Sequence, residues 1–64
     1  MARMAVAFNR EHARARYVLG LTLFKAAEPA AALESFQEAT RLDPNYAEAW
    51  INAGVVQKDL GKFK

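Results

Sequence analysis

The stretch PAAALESFQEATRLDPNYAEAW, residues 29–50, decides how this chain folds. It opens on Pro29, a residue that suits the first position of a helix, where a missing N–H costs nothing. Ala32, Phe36 and Ala39 then recur at i, i+4 and i+7, while Glu34 and Glu38 fall on another face. That is the spacing of a helix with one packed side and one wet side. After Leu42 the Asp43-Pro44-Asn45 cluster interrupts the pattern, as proline and Asx residues punctuate helices. Asn45, with Glu48 three residues later, has the spacing of an N-cap and capping box. A further helix is expected from there to about Leu60, with Gly61 as its stop. Towards the N-terminus, Ala13 to Ala27 are helix formers or large apolar residues, and a turn is expected near Ala27 and Glu28. The expectation is an all-α chain of three main helices.

Composition sets the outer limits. Sixty-four residues allow one small domain and no large enzyme core. Hydrophobic residues make up 53% and charged residues 25%, a balance that buries a core rather than staying disordered. There are no cysteines, so neither a disulfide framework nor a thiolate metal cluster is available, and a cytoplasmic, reducing setting is expected. The charge-free runs Tyr17 to Phe24 and Ala49 to Gln57 fall far short of the roughly 20 apolar residues a membrane span needs. The net charge of +2 averages over zones. Residues 1–16 carry Arg3, Arg10, Arg14 and Arg16 against Glu11, whereas residues 26–49 carry five acids against Arg41. An Arg-rich start can also belong to a transit peptide, but the same residues fit the internal repeat that follows.

A repeat architecture shows as self-similarity at a fixed period, which single helices do not carry. At an offset of 34 residues Gly20 falls on Gly54, Tyr17 on Ile51, Ala13 on Ala47, Ala15 on Ala49, Ala5 on Ala39, Phe8 on Leu42 and Asn9 on Asp43. Within the unit stand Leu19-Gly20, Ala32, Phe36, Ala39 and Leu42-Asp43-Pro44-Asn45, and Trp50, Gly54, Leu60-Gly61 and Phe63 open a second copy. In this period and these residues the chain resembles the tetratricopeptide repeat family. The resemblance implies antiparallel helix pairs, a fragment of an α-solenoid. Residues 1–12 would be the tail of a preceding repeat or an extension of the first helix, 13–46 a complete repeat, and 47–64 the first helix and turn of another. Such a chain has the look of an excerpt from a longer array.

Small side chains mark where helix backbones meet. Leu19, Gly20, Ala32, Phe36, Ala39, Pro44, Trp50 and Gly54 are the expected repeat-packing residues, with Phe36 and Trp50 filling the space between layers. Arg10 occupies the slot where the repeat carries proline, which removes a helix breaker. One continuous helix from about Arg3 to Ala27 therefore becomes possible.

Catalytic chemistry has little to work with. His12 and Ser35 stand in different elements without an orienting acid. A metal site on the His12 helix would need a second ligand at Ala15 or Arg16. Gly61-Lys62 lacks both the earlier glycine and the following Ser or Thr of a phosphate loop. No cofactor, no metal and no enzyme activity are expected. Glu34, Glu38 and Arg41 read as a solvated charge set worth a few tenths of a kcal/mol per pair. Arg3, Arg10 and Arg14 would share one stripe on a continuous helix and attract phosphate, so nucleic-acid binding is a competing but disfavoured role.

A second apolar stripe on the first helix runs through Arg14, Tyr17, Leu21 and Phe24, about 120° from the face of Leu19, Gly20 and Leu23. In tetratricopeptide proteins the equivalent stripe lines a concave groove that holds an extended or helical peptide. The resemblance implies a mostly apolar groove made by Arg14, Tyr17, Leu21 and Phe24 together with Glu48, Ile51, Asn52 and Val55. Members that clamp a terminal carboxylate carry Lys and Asn where this chain has Tyr17 and Leu21, which argues against that ligand. The functional expectation is a scaffold or adaptor module that binds a protein or peptide, with no membrane partner. The alternative is a structural homo-oligomer, domain-swapped or stacked, because a lone repeat cannot bury its own apolar face.

Overall fold

The computed structural model describes residues 9–61. Met4 to Phe8 of the expected preceding tail, Arg3, and Lys62 to Lys64 lie outside the described residues. Three helices follow in order: α1 (Arg10–Lys25), α2 (Pro29–Leu42) and α3 (Ala47–Gly61). The fold is all-α, as the helical periodicity implies.

The first helix is not continuous through Asn9, a point that the sequence left open. Asn9 has φ −131° and ψ 83°, outside helical geometry, and its side chain accepts the His12 N–H at 3.2 Å. Its own N–H donates to the Leu42 carbonyl at 3.0 Å, so the entry to α1 is tied to the end of α2. With Arg10 in the proline slot, α1 does start three residues earlier than Ala13, and the Asn9 side chain then supplies a local acceptor that competes with further helix.

At its other end α1 closes two residues before Ala27. The Ala27 N–H donates to Phe24 O at 3.1 Å and the Glu28 N–H to Leu23 O at 2.9 Å, the paired bonds of a Schellman cap. That cap needs a left-handed residue, and Ala27 takes it with φ 64°, a conformation that Cβ disfavours by about 1–2 kcal/mol. Pro29 then occupies the first turn of α2.

Between α2 and α3 the organising side chain is Asp43 rather than the expected N-cap Asn45, which is a correction. The Asp43 N–H donates to Ala39 O at 2.9 Å, its carbonyl accepts the Tyr46 N–H at 3.0 Å, and its Oδ1 accepts the Asn45 N–H at 3.2 Å. The turn bonds consume residues 43–46, and α3 begins at Ala47. Gly61 ends the described part of α3 still in helical geometry, without a positive φ.

The core divides in two. One cluster joins Ala32 and Phe36 of α2 to Ala53 and Val56 of α3, flanked by Tyr17, Leu23, Leu33 and Leu60. The other brings Ala13, Ala39 and Ala49, one from each helix, into a fully buried contact edged by Tyr17, Leu42 and Tyr46. The three methyl-sized side chains let three backbones approach at one level. Gly20 is the tightest point: a Cβ there would stand 2.6 Å from Phe36 Cε1. Burying the Phe36 ring contributes about 1.5–3 kcal/mol.

Four expected packing residues sit otherwise. Gly54 faces open space, with nothing within 4 Å of a Cβ built there, because α2 covers the opposite side of α3. Trp50 does not fill a layer. It is 56% exposed, and its indole N–H donates to Pro44 O at 2.8 Å, so the ring lies back along the turn. Pro44 itself is exposed and acts by ending α2 and lending that carbonyl. Leu19 remains 40% exposed, since Gly20 and Ala13 take the centre of the α1 contact.

Candidate functional site

Where α1 and α3 meet, the expected groove residues separate into a polar end and an apolar end. Tyr17 is the hinge between them. Its ring packs on Phe36 at 5.6 Å and on Tyr46 at 5.1 Å between centroids, both tilted, and its hydroxyl oxygen accepts from Asn52 Nδ2 at 2.8 Å. Tyr17 is thus partly committed to the core, and Asn52 is spent on holding it, so neither is a free groove residue. The bond fixes α1 against α3 across 35 residues of chain.

The polar end is a recess of about 520 Å³ lined by Arg10, Arg14, Tyr17, Asp43, Tyr46 and Glu48, together with Glu11 and Val18. Arg10 Nε stands 3.9 Å from Asp43 Oδ2, with Arg10 largely in solvent, a pair that water screens and that contributes little. Burial pushes the Tyr46 hydroxyl above the ordinary tyrosine value, and the Arg14 charge pulls the other way. The recess therefore mixes both signs of charge with two tyrosines, which departs from the expected greasy groove. Arg14, Tyr17 and Glu48 come together there. Asp43 and Tyr46 were not anticipated as lining residues, although their position in the turn that joins α2 to α3 is a usable signal.

Leu21, Phe24, Ile51 and Val55 form the apolar end and do not line the recess. Leu21 and Phe24 are 37% and 38% exposed, Ile51 and Val55 65% and 47%. Leu21 and Phe24 lie one and two turns beyond Tyr17 on α1, and on α3 Val55 lies one turn beyond Asn52 while Ile51 is its neighbour in sequence. All four are large apolar side chains open to solvent on α1 and α3.

A second recess, about 570 Å³, opens between α1 and α2 and is lined by Arg16, Glu34, Ser35, Gln37, Glu38 and Arg41. Arg41 is paired with Glu38, within the charge set expected there. His12 is exposed on α1 whereas Ser35 is buried on α2, so the two are not brought together. Among the described residues no group of three or more His, Asp or Glu side chains is placed to hold a metal ion. No helix among them is long and apolar enough to cross a membrane.

Three antiparallel-packed helices with a 34-residue internal register and an exposed apolar surface define a helical-repeat protein. The TPR repeat family model matches residues 30–61, from α2 to the end of α3. The match covers half of the chain, and the chain belongs to the tetratricopeptide repeat family. Tetratricopeptide repeats are protein–protein interaction modules without catalytic machinery of their own. Neither the curated proteins nor the solved structures contain a significant match.

Proposed function

We propose that this chain is a non-enzymatic scaffold or adaptor module that holds a peptide or a partner helix against Leu21, Phe24, Ile51 and Val55. Arg14, Tyr17, Glu48 and Asn52 form the polar end of the same surface, where Arg14 and Glu48 orient the ligand and the Tyr17–Asn52 bond ties α1 to α3. The observation that carries the reading is the exposure of four large apolar side chains on either side of that bond. In a chain this small such side chains favour burial by a partner at about 25 cal/mol per Å². A displayed random-peptide library selected on the chain tests it. Selected peptides should carry apolar residues at i and i+4 and lose binding to Leu21→Glu and Ile51→Glu variants. Peptides that bind both variants as well as the natural chain would place recognition elsewhere.

Self-association is the second reading, supported by the open space at Gly54 and the exposure of Trp50. Nucleic-acid binding is weaker, because Arg10 faces Asp43 and the helix that would align Arg3 with Arg14 is interrupted at Asn9.

A further inference from the structure

The outer face of α3 carries a regular stripe. Glu48, Ile51, Val55 and Lys58 follow one another at spacings of three, four and three residues, the seam that one helix presents to another in a two-helix contact. All four are exposed. The opposite side of α3 already buries Ala49, Ala53 and Val56. This helix is therefore apolar on two sides, the condition of a helix covered on both. Within the described residues Glu48 and Lys58 enter no ion pair.

We infer that α3 docks antiparallel on α3 of a second copy of this chain, with Ile51 against the second copy's Val55 and Glu48 against the second copy's Lys58. Both pairs are symmetric about position 53, so a single two-fold axis satisfies them together and each contact occurs twice. Charge decides the direction. A parallel pairing would oppose Glu48 to Glu48 and Lys58 to Lys58, whereas the antiparallel one brings together two opposite-charge pairs at the ends of an apolar centre. It is self-complementary, as a two-fold interface must be. The inference rests on the same apolar surface as the proposed function and names its occupant. One short stripe buries less than the roughly 1,200 Å² of a standard stable complex, so the dimer is weak and concentration-dependent.

Sedimentation equilibrium of the 64-residue chain from micromolar to millimolar concentration tests this, together with Glu48→Lys and Lys58→Glu. Both substitutions fall at exposed positions, and circular dichroism checks that each variant keeps its helices. The natural chain should fit a monomer–dimer equilibrium. Each variant alone should dimerise roughly tenfold more weakly, because two like-charge contacts replace two favourable ones. An equimolar mixture of the two variants should regain dimerisation, since each mixed pair again has two opposite-charge contacts. A chain that stays monomeric at millimolar concentration overturns the inference, as do variants that dimerise as tightly as the natural chain. Mixing without recovery, or species larger than a dimer, overturns it too. A monomer that still captures selected peptides through Leu21 removes this inference and leaves the proposed function standing.

Discussion

Gly20 and Gly54 occupy the same register of the repeat 34 residues apart, yet they live in opposite surroundings. Gly20 is buried where α1 meets α2, with the Phe36 ring filling the space a side chain would need. Gly54 stands on the open side of α3, with nothing among the described residues within 4 Å of a Cβ built there. The pair shows that a repeat pattern specifies a slot, and that the slot has energetic meaning only where a second helix is present to enter it. The same contrast holds one position class further along. Ala27 and Gly61 also share a register, and here the alanine takes the left-handed conformation while the glycine stays helical.

The contrast can be broken most forcibly at Ala39. This residue has no exposure and lies between Ala13 and Ala49, so Ala39→Arg drives a charge into a level at which all three helices touch. A loss exceeding about 4 kcal/mol is expected, seen as the disappearance of a cooperative thermal transition by circular dichroism. A preserved transition would deny the three-helix junction.

Gly20→Ala comes next. The new Cβ collides with a buried ring that has nowhere to move, and overpacking outweighs the gain in helix propensity to leave a net loss of about 1–2 kcal/mol in urea unfolding. Ala27→Gly should act in the opposite direction, raising stability by about 1 kcal/mol through relief of the left-handed alanine. Gly54→Ala sharpens the comparison directly: with open space around it, only propensity changes, and the urea midpoint should rise by an amount equivalent to about 0.5–1 kcal/mol. Opposite signs at Gly20 and Gly54 are the signature; equal signs would place the two glycines in the same environment.

The smallest effect concerns pH. Burial raises the folded-state pKa of Tyr46 above its ordinary value of about 10. Its contribution is therefore fully present below pH 10 and is lost as pH rises through the folded value. The melting temperature should decline above pH 10, and Tyr46→Phe should flatten that decline.

Much of the helical layout was legible before any coordinates. Ala32, Phe36 and Ala39 lie on the buried face of α2, and Gly20 lies against Phe36, because close approach of helices leaves room only for small residues at fixed intervals. The stripe Ala49, Ala53, Val56 and Leu60 has the same periodicity and marks the inner face of α3, although the repeat positions of Trp50 and Gly54 point to the other side. Large size and family position favour burial for Trp50, whereas its exposure depends on which neighbour is present.

Local chemistry written in the chain sufficed for the helices, the break at residues 43–46 and the 34-residue register, since periodicity and capping act over a few residues. Tertiary structure alone decided that Asp43 rather than Asn45 organises the turn, that Tyr17 and Asn52 bond to each other, and that the expected groove splits into a polar recess and an apolar surface. Those outcomes depend on distances between residues far apart in sequence, and a side chain's exposure is a property of its neighbours before it is a property of its own kind.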